Sequence, residues 1–415
     1  MKPCALASVF ALVVGLFVTG AAPARAAQDI VIGLQCDRTG PTQVVGTVLC
    51  PGYHDYVDLV NSQGGVDGHM IRVIEIDHEY KVPPAVEAYE RFKEQGAVLV
   101  ALYGTPQTYA LTEKLTQDRI PGTSPGFGRA DAADGARYPY IFPIAATYWS
   151  QAAAAVQFVK QQLHDLHGKK IAYLFYDNPA GREPLPVLQD LAKREGFDLK
   201  TFAVPPPGLE MSAQVLDIAR RYRADFIIAH LFGRAPSVSI KELKAAGYPL
   251  DKVVSFVWGS AEADIAAAGG GDVADGYYTM QFAGVGENYP VLEQIREMYR
   301  KKGEAPPAAM QSTVYYNRGV LQAALAVQGI KNALAAKPNG AITGEDVKNG
   351  LEHIKDFTLG GLVPPIELSP TNHEGGGWVQ IWQVKGGKLT RTTGWFKAYP
   401  DVIAAHLKEA ASKPS

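Results

Sequence analysis

Short apolar runs alternate with amphipathic segments along nearly the whole chain after residue 28. Short apolar runs are typical of strands buried in a parallel sheet, whereas apolar positions three or four residues apart are typical of helices with one buried face. The pattern predicts strands at residues 30–34, 70–77, 97–102, 140–143, 170–175, 200–204, 225–230, 253–257 and 276–281, with one more near Ile120. It predicts helices at residues 51–61, 82–95, 106–118, 150–163, 185–195, 212–222, 237–246, 289–302 and 313–337, and a β-hairpin at 378–384 and 389–395. Because strands and helices alternate, we predict an α/β fold with two doubly wound layers.

Residues 97–129 contain the clearest candidate binding site. An apolar strand is followed by the sequence YGTP, in which Thr105 is predicted as a helix N-cap and Pro106 as the first helical residue. The next strand runs into the sequence SPG, which begins at Ser124. In open parallel sheets, ligands lie beyond the carboxyl ends of the strands, where helix N-termini offer unpaired N–H groups. We therefore predict that Thr105 and Ser124 hold a small anionic ligand.

The sequence GTSPG around Ser124 also matches the G-x-S-x-G pattern of α/β-hydrolases. That turn requires a helix directly after the serine and the next residue's N–H as an oxyanion donor, and Pro125 has no N–H. A triad would also need a histidine and an acid, for which His230 with Asp225 is the candidate pair. A secreted serine hydrolase using Ser124 is therefore the alternative to a binding protein.

The first 26 residues have the pattern of a secretory signal peptide. Lys2 precedes an apolar run at residues 5–18, and the sequence ARA ends at Ala26, where we predict cleavage. No later segment approaches about 18 consecutive apolar residues, so we expect an exported, soluble mature protein. Removing Lys2 and Arg25 leaves 38 basic and 42 acidic residues. A mildly acidic chain without a basic run is not expected to bind nucleic acid.

The mature chain keeps two of the three cysteines, Cys36 and Cys50. In an oxidising compartment such a pair predicts one disulfide. A metal site would need further ligands at short spacing, and none accompanies these cysteines, so we predict no metal site and no cofactor. A mature chain of this length exceeds what a single hydrophobic core supports, which favours two lobes.

Several short motifs follow one another in a characteristic order. They are QDIVIG at residues 28–33, TGP at 39–41, VNSQGGVDG at 60–68, GTSPG at 122–126, KIA at 170–172, LKAAG at 243–247 and DGY at 275–277. In this order and spacing they resemble the leucine/isoleucine/valine-binding family, the periplasmic receptors of ABC importers. The resemblance covers essentially the whole mature chain.

The resemblance implies two Rossmann-like lobes joined by a three-stranded hinge, the fold of type I periplasmic binding proteins. The implied division is a signal peptide at 1–26, a first lobe at 27–146 and 283–361, a second lobe at 147–282, and at 362–415 the last hinge crossing with the C-terminal hairpin of the second lobe. Hinge segments are expected near residues 143–147, 278–282 and 362–378. The resemblance also implies a monomer in the periplasm that catalyses nothing, captures a small ligand between its lobes and delivers it to an ABC transporter permease in the inner membrane. A sensing partner of a receptor remains an alternative to import.

The resemblance and the positions of the strand ends together identify nine candidate ligand-binding residues. They are Tyr103, Gly104, Thr105, Ser124, Phe127, Tyr148, Phe232, Trp258 and Glu262. In the family, a serine holds the ligand's α-carboxylate and a glutamate balances its ammonium group. Here Gly104 stands at the serine position, and the glutamate position falls near Gly259, with Glu262 three residues on. Because five of the other positions are aromatic, the expected ligand is a small, carboxylate-bearing molecule, either like a branched-chain amino acid or an aromatic acid or amide.

Overall fold

The computed structural model of the protein describes residue 1 and residues 28–338 and 340–412. The predicted signal peptide, apart from Met1, lies outside the described residues. The strands are β1 (Ile30–Cys36), β2 (Ile71–Asp77), β3 (Ala97–Ala101), β4 (Gly122–Thr123), β5 (Ile141–Phe142), β6 (Lys170–Tyr176), β7 (Asp198–Val204), β8 (Phe226–His230), β9 (Val253–Ser255), β10 (Tyr278–Gln281), β11 (Gln380–Lys385) and β12 (Lys388–Arg391). The helices are α1 (Gln43–Ser62), α2 (Val82–Glu94), α3 (Thr105–Asp118), α4 (Tyr148–Leu163), α5 (Pro179–Arg182), α6 (Leu185–Glu195), α7 (Ser212–Leu216), α8 (Ala235–Ala245), α9 (Glu262–Ala268), α10 (Gly271–Ala274), α11 (Pro290–Lys302), α12 (Thr313–Ala336), α13 (Gly344–Glu352) and α14 (Pro400–Ser412).

The strands form two sheets, which confirms the predicted α/β fold with two lobes. The first sheet has the order β2-β1-β3-β4-β5, and all its pairs are parallel. The second has the order β12-β11-β10-β9-β8-β6-β7, parallel from β10 to β7 and antiparallel at β11 and β12. The predicted hairpin is confirmed as β11 and β12. We call each sheet with the helices packed on it a lobe.

The first lobe packs most tightly between α1 and α12. Two glycines permit this close approach. A Cβ atom at Gly52 would lie 2.4 Å from the carbonyl oxygen of Tyr316, and one at Gly319 would lie 1.9 Å from that of Leu49. Any larger residue at these positions would push the helices apart. This packing holds the N-terminal half of α12 beside the second lobe.

Helix α1 begins at Gln43, eight residues earlier than predicted, so the predicted start at residue 51 was wrong. A start at residue 51 would make Pro51 the first helical residue, which is the most favourable helical position for proline. It lies inside the helix instead, between Cys50 and Gly52. Cys50 forms the predicted disulfide with Cys36 at the end of β1, which ties the helix to the sheet. Packing and the crosslink thus outweigh the backbone hydrogen bond that the proline removes.

Two helices near the C-terminus were not predicted. Thr343 and Asp346 form a capping box at the start of α13: each side chain accepts a hydrogen bond from the other residue's N–H. That signal was present in the sequence. Helix α14 packs against α4, α6 and the short 3₁₀ turn at Ala130–Ala133.

The chain passes between the two sheets three times: between β5 and α4, between β10 and α11, and before β11. Residues 278–281, which we expected in the second hinge segment, form β10 of the second sheet, so this passage begins after Gln281. None of the helices in the described ranges is both long and apolar enough to span a membrane.

Candidate functional site

A cavity lies between the lobes, beyond the carboxyl ends of strands from both sheets. The first lobe contributes the residues that follow β1, β2, β3 and β4, and the second lobe those at the start of α4 and after β8 and β9. Its lining consists of Thr42, Val45, Tyr80, Tyr103, Gly104, Thr105, Phe127, Tyr148, Phe232 and Trp258. The cavity is small: the volume open to the centre of a water molecule is about 30 Å³.

Seven of the nine predicted ligand residues line this cavity, namely Tyr103, Gly104, Thr105, Phe127, Tyr148, Phe232 and Trp258. Ser124 and Glu262 do not. The Ser124 hydroxyl is fully buried and has no hydrogen-bond partner among the described residues. The Glu262 carboxylate accepts hydrogen bonds from the Thr313 hydroxyl and, at 3.1 Å, from the Val314 N–H. It therefore joins the second lobe to the start of α12 in the first.

Sequence reasoning missed three lining residues: Thr42, Val45 and Tyr80. Thr42 and Val45 follow the TGP motif directly after β1, so the strand-end argument that found Thr105 would also have found them. Tyr80 follows β2 on a left-handed turn with φ +57°. A non-glycine residue in that conformation is uncommon, and no sequence signal marks it.

Aromatic rings from the two lobes meet across the cavity. The rings of Phe127 and Trp258 lie 5.8 Å apart between centroids, and those of Tyr80 and Phe232 lie 6.0 Å apart. The Trp258 indole N–H donates to the Gly126 carbonyl oxygen at 2.9 Å. These rings provide flat apolar walls, and their packing depends on the lobes being close together.

The polar groups of the cavity are hydroxyls, the Trp258 indole N–H and the start of α3. Helix α3 begins one residue earlier than predicted: Gly104, at φ +99°, is the N-cap, and Thr105 is the first helical residue. The Thr105 hydroxyl oxygen accepts from the Gly128 N–H at 3.2 Å, and the same hydroxyl lies within hydrogen-bond reach of the Tyr148 hydroxyl, so a ligand oxygen between the two could accept from it. Burial raises the pKa of Tyr103 and of Tyr148 well above the usual tyrosine value, so both stay protonated.

The groups named for the hydrolase alternative do not interact with one another. His230 Nδ1 is 3.0 Å from the Tyr173 hydroxyl, and the Asp225 carboxylate accepts from the Lys170 N–H at 2.8 Å. Burial lowers the pKa of His230 to about 3. A nucleophile and its base must be within hydrogen-bond reach, and Ser124 has no such partner among the described residues.

The protein has two sheets of mainly parallel strands, and an aromatic cavity lies between the carboxyl ends of their strands. Both lobes contribute residues to this cavity, which is the arrangement of a two-lobed ligand-binding protein. A sequence profile of the periplasmic binding protein family matches residues 29–388. The chain belongs to this family, whose members are substrate-binding proteins of ABC transporters that bind small ligands and work with transporter permeases.

Individual relatives agree with the family assignment. A crystal structure described as an ABC transporter permease from the Pseudomonas fluorescens group is 31% identical, with 92% of this chain and 96% of that chain covered and a TM-score of 0.83. A branched-chain amino acid ABC transporter protein from Thermus thermophilus, with bound valine, is 22% identical, with 92% and 100% covered and a TM-score of 0.80. The Leu/Ile/Val-binding protein homolog 7 of Brucella suis biovar 1 (strain 1330) is 25% identical over 355 residues, which cover 82% of this chain and 87% of that protein.

Proposed function

We propose that this protein is a periplasmic receptor that captures one small carboxylate-bearing ligand between its lobes and delivers it to the permease of an ABC importer. The observation that carries the proposal is the cavity itself. It is lined by residues from both lobes, so a bound ligand would contact both and favour the closed arrangement. We also propose that the protein is exported and that its signal peptide is cleaved near Ala26. The mature protein is proposed to be a monomer without catalytic activity.

The proposed lobes are residues 27–146 with 283–361, and residues 147–282 with the C-terminal hairpin. Two kinds of contact support this division. Helices α11 and α12 pack on α1, and α13 packs on α12 and β3, although all three follow the second lobe in sequence. Strand β11 pairs with β10 of the second sheet.

A thermal-shift screen of residues 27–415 against amino acids, aromatic acids, dicarboxylates and amides tests the receptor function. A ligand present at about 100 times its Kd stabilises the folded protein by about 2.7 kcal/mol, which raises the melting temperature measurably. We expect a hit among the carboxylates. No hit in any class would contradict the proposal. Ester hydrolysis that Ser124→Ala abolishes would then favour the hydrolase.

The variant Trp258→Ala tests the position of the site. We expect it to weaken binding of the identified ligand at least tenfold, because it removes an aromatic wall and the hydrogen bond to Gly126. Trp382→Ala is the matched control, since Trp382 lies on β11 outside the cavity lining. Equal effects of the two substitutions on affinity would contradict this position.

Import and sensing differ in what the liganded protein binds. For import, we expect the liganded protein to stimulate ATP hydrolysis by a transporter whose genes neighbour its own. Stimulation of a receptor kinase, with no effect on any transporter, would favour the sensing alternative.

A further inference from the structure

The cavity contains hydrogen-bond donors and aromatic faces but no charged side chain. None of its ten lining residues is an aspartate, glutamate, lysine, arginine or histidine. Donors come from the Thr105 hydroxyl and from the first turn of α3, whose N–H groups have no partner within the helix. A ligand carboxylate would be well matched to these groups, whereas a ligand ammonium group would find no anion in the lining.

Acidic residues around the cavity are already used by the protein. Asp37 accepts from the N–H groups of Gly40 and Thr42, at 2.5 and 2.8 Å, and from the Thr42 hydroxyl at 2.6 Å. Glu262 accepts from the start of α12. Glu183 accepts from the Ala130 N–H at 2.7 Å. Turning any of them toward an ammonium group would break interactions that hold a loop or join the lobes.

A buried cation lies directly behind the cavity wall. Arg318 is fully buried, and its guanidinium carbon lies 5.0 Å from the centroid of the Trp258 ring, which lines the cavity. Its nitrogen atoms donate to the Val257 carbonyl and the Gln281 amide oxygen, and no ion pair of Arg318 with a carboxylate is found among the described residues. The carboxylates of Glu262 and Asp264 offset part of this positive charge. Arg318 therefore adds to the attraction for an anionic ligand, which depends mainly on the hydrogen-bond donors of the lining.

We propose that the ligand is a small carboxylate that carries no amino group, an inference that rests on the proposed receptor function. An ammonium group would be buried without an anionic acceptor, which costs several kcal/mol. The cavity limits the size of the ligand. The volume open to the centre of a water molecule is only about 30 Å³, which favours a ligand no larger than one six-membered ring with a carboxylate or a short branched acid.

Matched pairs of ligands that differ only in the amino group test this inference by isothermal titration calorimetry. The pairs are phenylacetate with phenylglycine and 3-methylbutanoate with valine. We expect at least one acid to bind at least 100-fold more tightly than its amino derivative, and phenylacetamide to bind more weakly than phenylacetate.

Tighter binding of valine or phenylglycine than of the matched acid would overturn the inference and leave the receptor function intact. If a ligand without a carboxylate, such as choline, bound more tightly than any of the acids, the inference would also be overturned and the receptor function would stand. If no compound in these pairs or in the wider screen binds, both the ligand class and the receptor function fail.

The variant Thr105→Val tests the donor assignment without a change of size. We expect it to weaken binding of the preferred acid at least tenfold. It should also lower the melting temperature of the unliganded protein, because the Gly128 N–H loses its acceptor. Thr108→Val is the matched control, because the Thr108 hydroxyl is also buried on α3 but donates to the Gly104 carbonyl oxygen at 2.9 Å and does not line the cavity. Unchanged acid binding in Thr105→Val would overturn the assignment.

Discussion

At the scale of single residues, burial between the lobes changes acid–base behaviour. Glu183 in the second lobe accepts hydrogen bonds from the Ala130 N–H and, at 3.4 Å, from the Tyr109 hydroxyl of the first lobe. Burial raises the pKa of this carboxyl to about 8, with Asp131 raising it further and Arg129 opposing the shift. The carboxyl is therefore largely protonated at neutral pH while the lobes are closed.

We predict that ligand affinity falls as the pH rises through about 8. When the lobes separate, the pKa of Glu183 should return toward its usual value of about 4.3, so closure takes up a proton. The pKa of Glu183 is raised in the closed state, so protonation of Glu183 stabilises closure. This stabilisation is fully present below about pH 4.3 and is lost as the pH rises through about 8. Between these values the affinity should change by at most tenfold per pH unit. Calorimetry from pH 5.5 to 9 measures this slope, and Glu183→Gln should flatten it; an equal slope in that variant would contradict the prediction.

A second prediction concerns Glu262, which acts across the lobes as a cap for α12. Ser312, the N-cap residue of that helix, makes no capping hydrogen bond, and Glu262 binds the first turn instead. Loss of a helix cap costs about 1 kcal/mol, so Glu262→Ala should weaken ligand binding roughly fivefold although Glu262 does not line the cavity.

The control for Glu262 is Thr343→Ala, which removes a cap within the first lobe, at α13. It should lower the melting temperature and leave the affinity unchanged. If Thr343→Ala weakened ligand binding in calorimetry as much as Glu262→Ala does, the assignment of Glu262 to lobe closure would be wrong.

At the scale of elements, the disulfide fixes the segment that connects β1 to α1. Cys36 is the last residue of β1 and Cys50 lies on α1, with a sequence separation of 14. The segment between them carries Thr42 and Val45, which line the cavity. The crosslink therefore connects the stability of the first lobe with the shape of the site.

Replacing both cysteines by alanine should lower the free energy of unfolding by about 3 kcal/mol, the loop-entropy value for a loop of about 15 residues. Denaturant titration of the first lobe's transition measures the change. A reducing agent should destabilise the wild type by a similar amount and should not affect the double variant. If reduction left the wild type unchanged, the disulfide would not contribute to stability.

At the scale of the whole molecule, Arg318 joins the lobes through α12. Its side chain extends from the first lobe to the Val257 carbonyl and Gln281 amide oxygens of the second. Its guanidinium carbon lies 4.6 Å from the centroid of the Phe282 ring and 5.6 Å from that of the Tyr315 ring. Without Arg318 the Val257 carbonyl would keep the Ser260 hydroxyl as a donor, whereas the Gln281 amide oxygen would lose its donor. A buried acceptor left without a donor costs about 1–3 kcal/mol.

We therefore predict that Arg318→Met favours the open form, which would weaken ligand binding at least tenfold. Small-angle scattering should show a larger radius of gyration for the variant than for the wild type at the same subsaturating ligand concentration. Gln328→Met, on the same helix, is the control, since Gln328 bonds within α12 to Asn332. A variant that closes and binds as the wild type does would show that Arg318 has no part in closure.

The sequence by itself determined the alternation of strands and helices through most of the chain, the disulfide and most of the residues that line the cavity. Hydrophobic periodicity is a local property, so the elements could be predicted without knowing their partners. Tyr103, Phe127 and Trp258 were found because parallel strands bring their carboxyl ends together at one edge of a sheet. The start of α1 was missed because Pro51 is locally typical of a first turn and its place inside the helix depends on tertiary packing.

Only the tertiary structure decided which candidate side chains face the ligand space and which join the lobes. Glu262 has the sequence position of a ligand residue, yet its partner Thr313 is 51 residues away in the chain. Tyr80 enters the cavity through a left-handed turn that its neighbours in sequence do not predict. The direction of a side chain depends on contacts between distant segments, and these exist only once the two lobes have folded and come together.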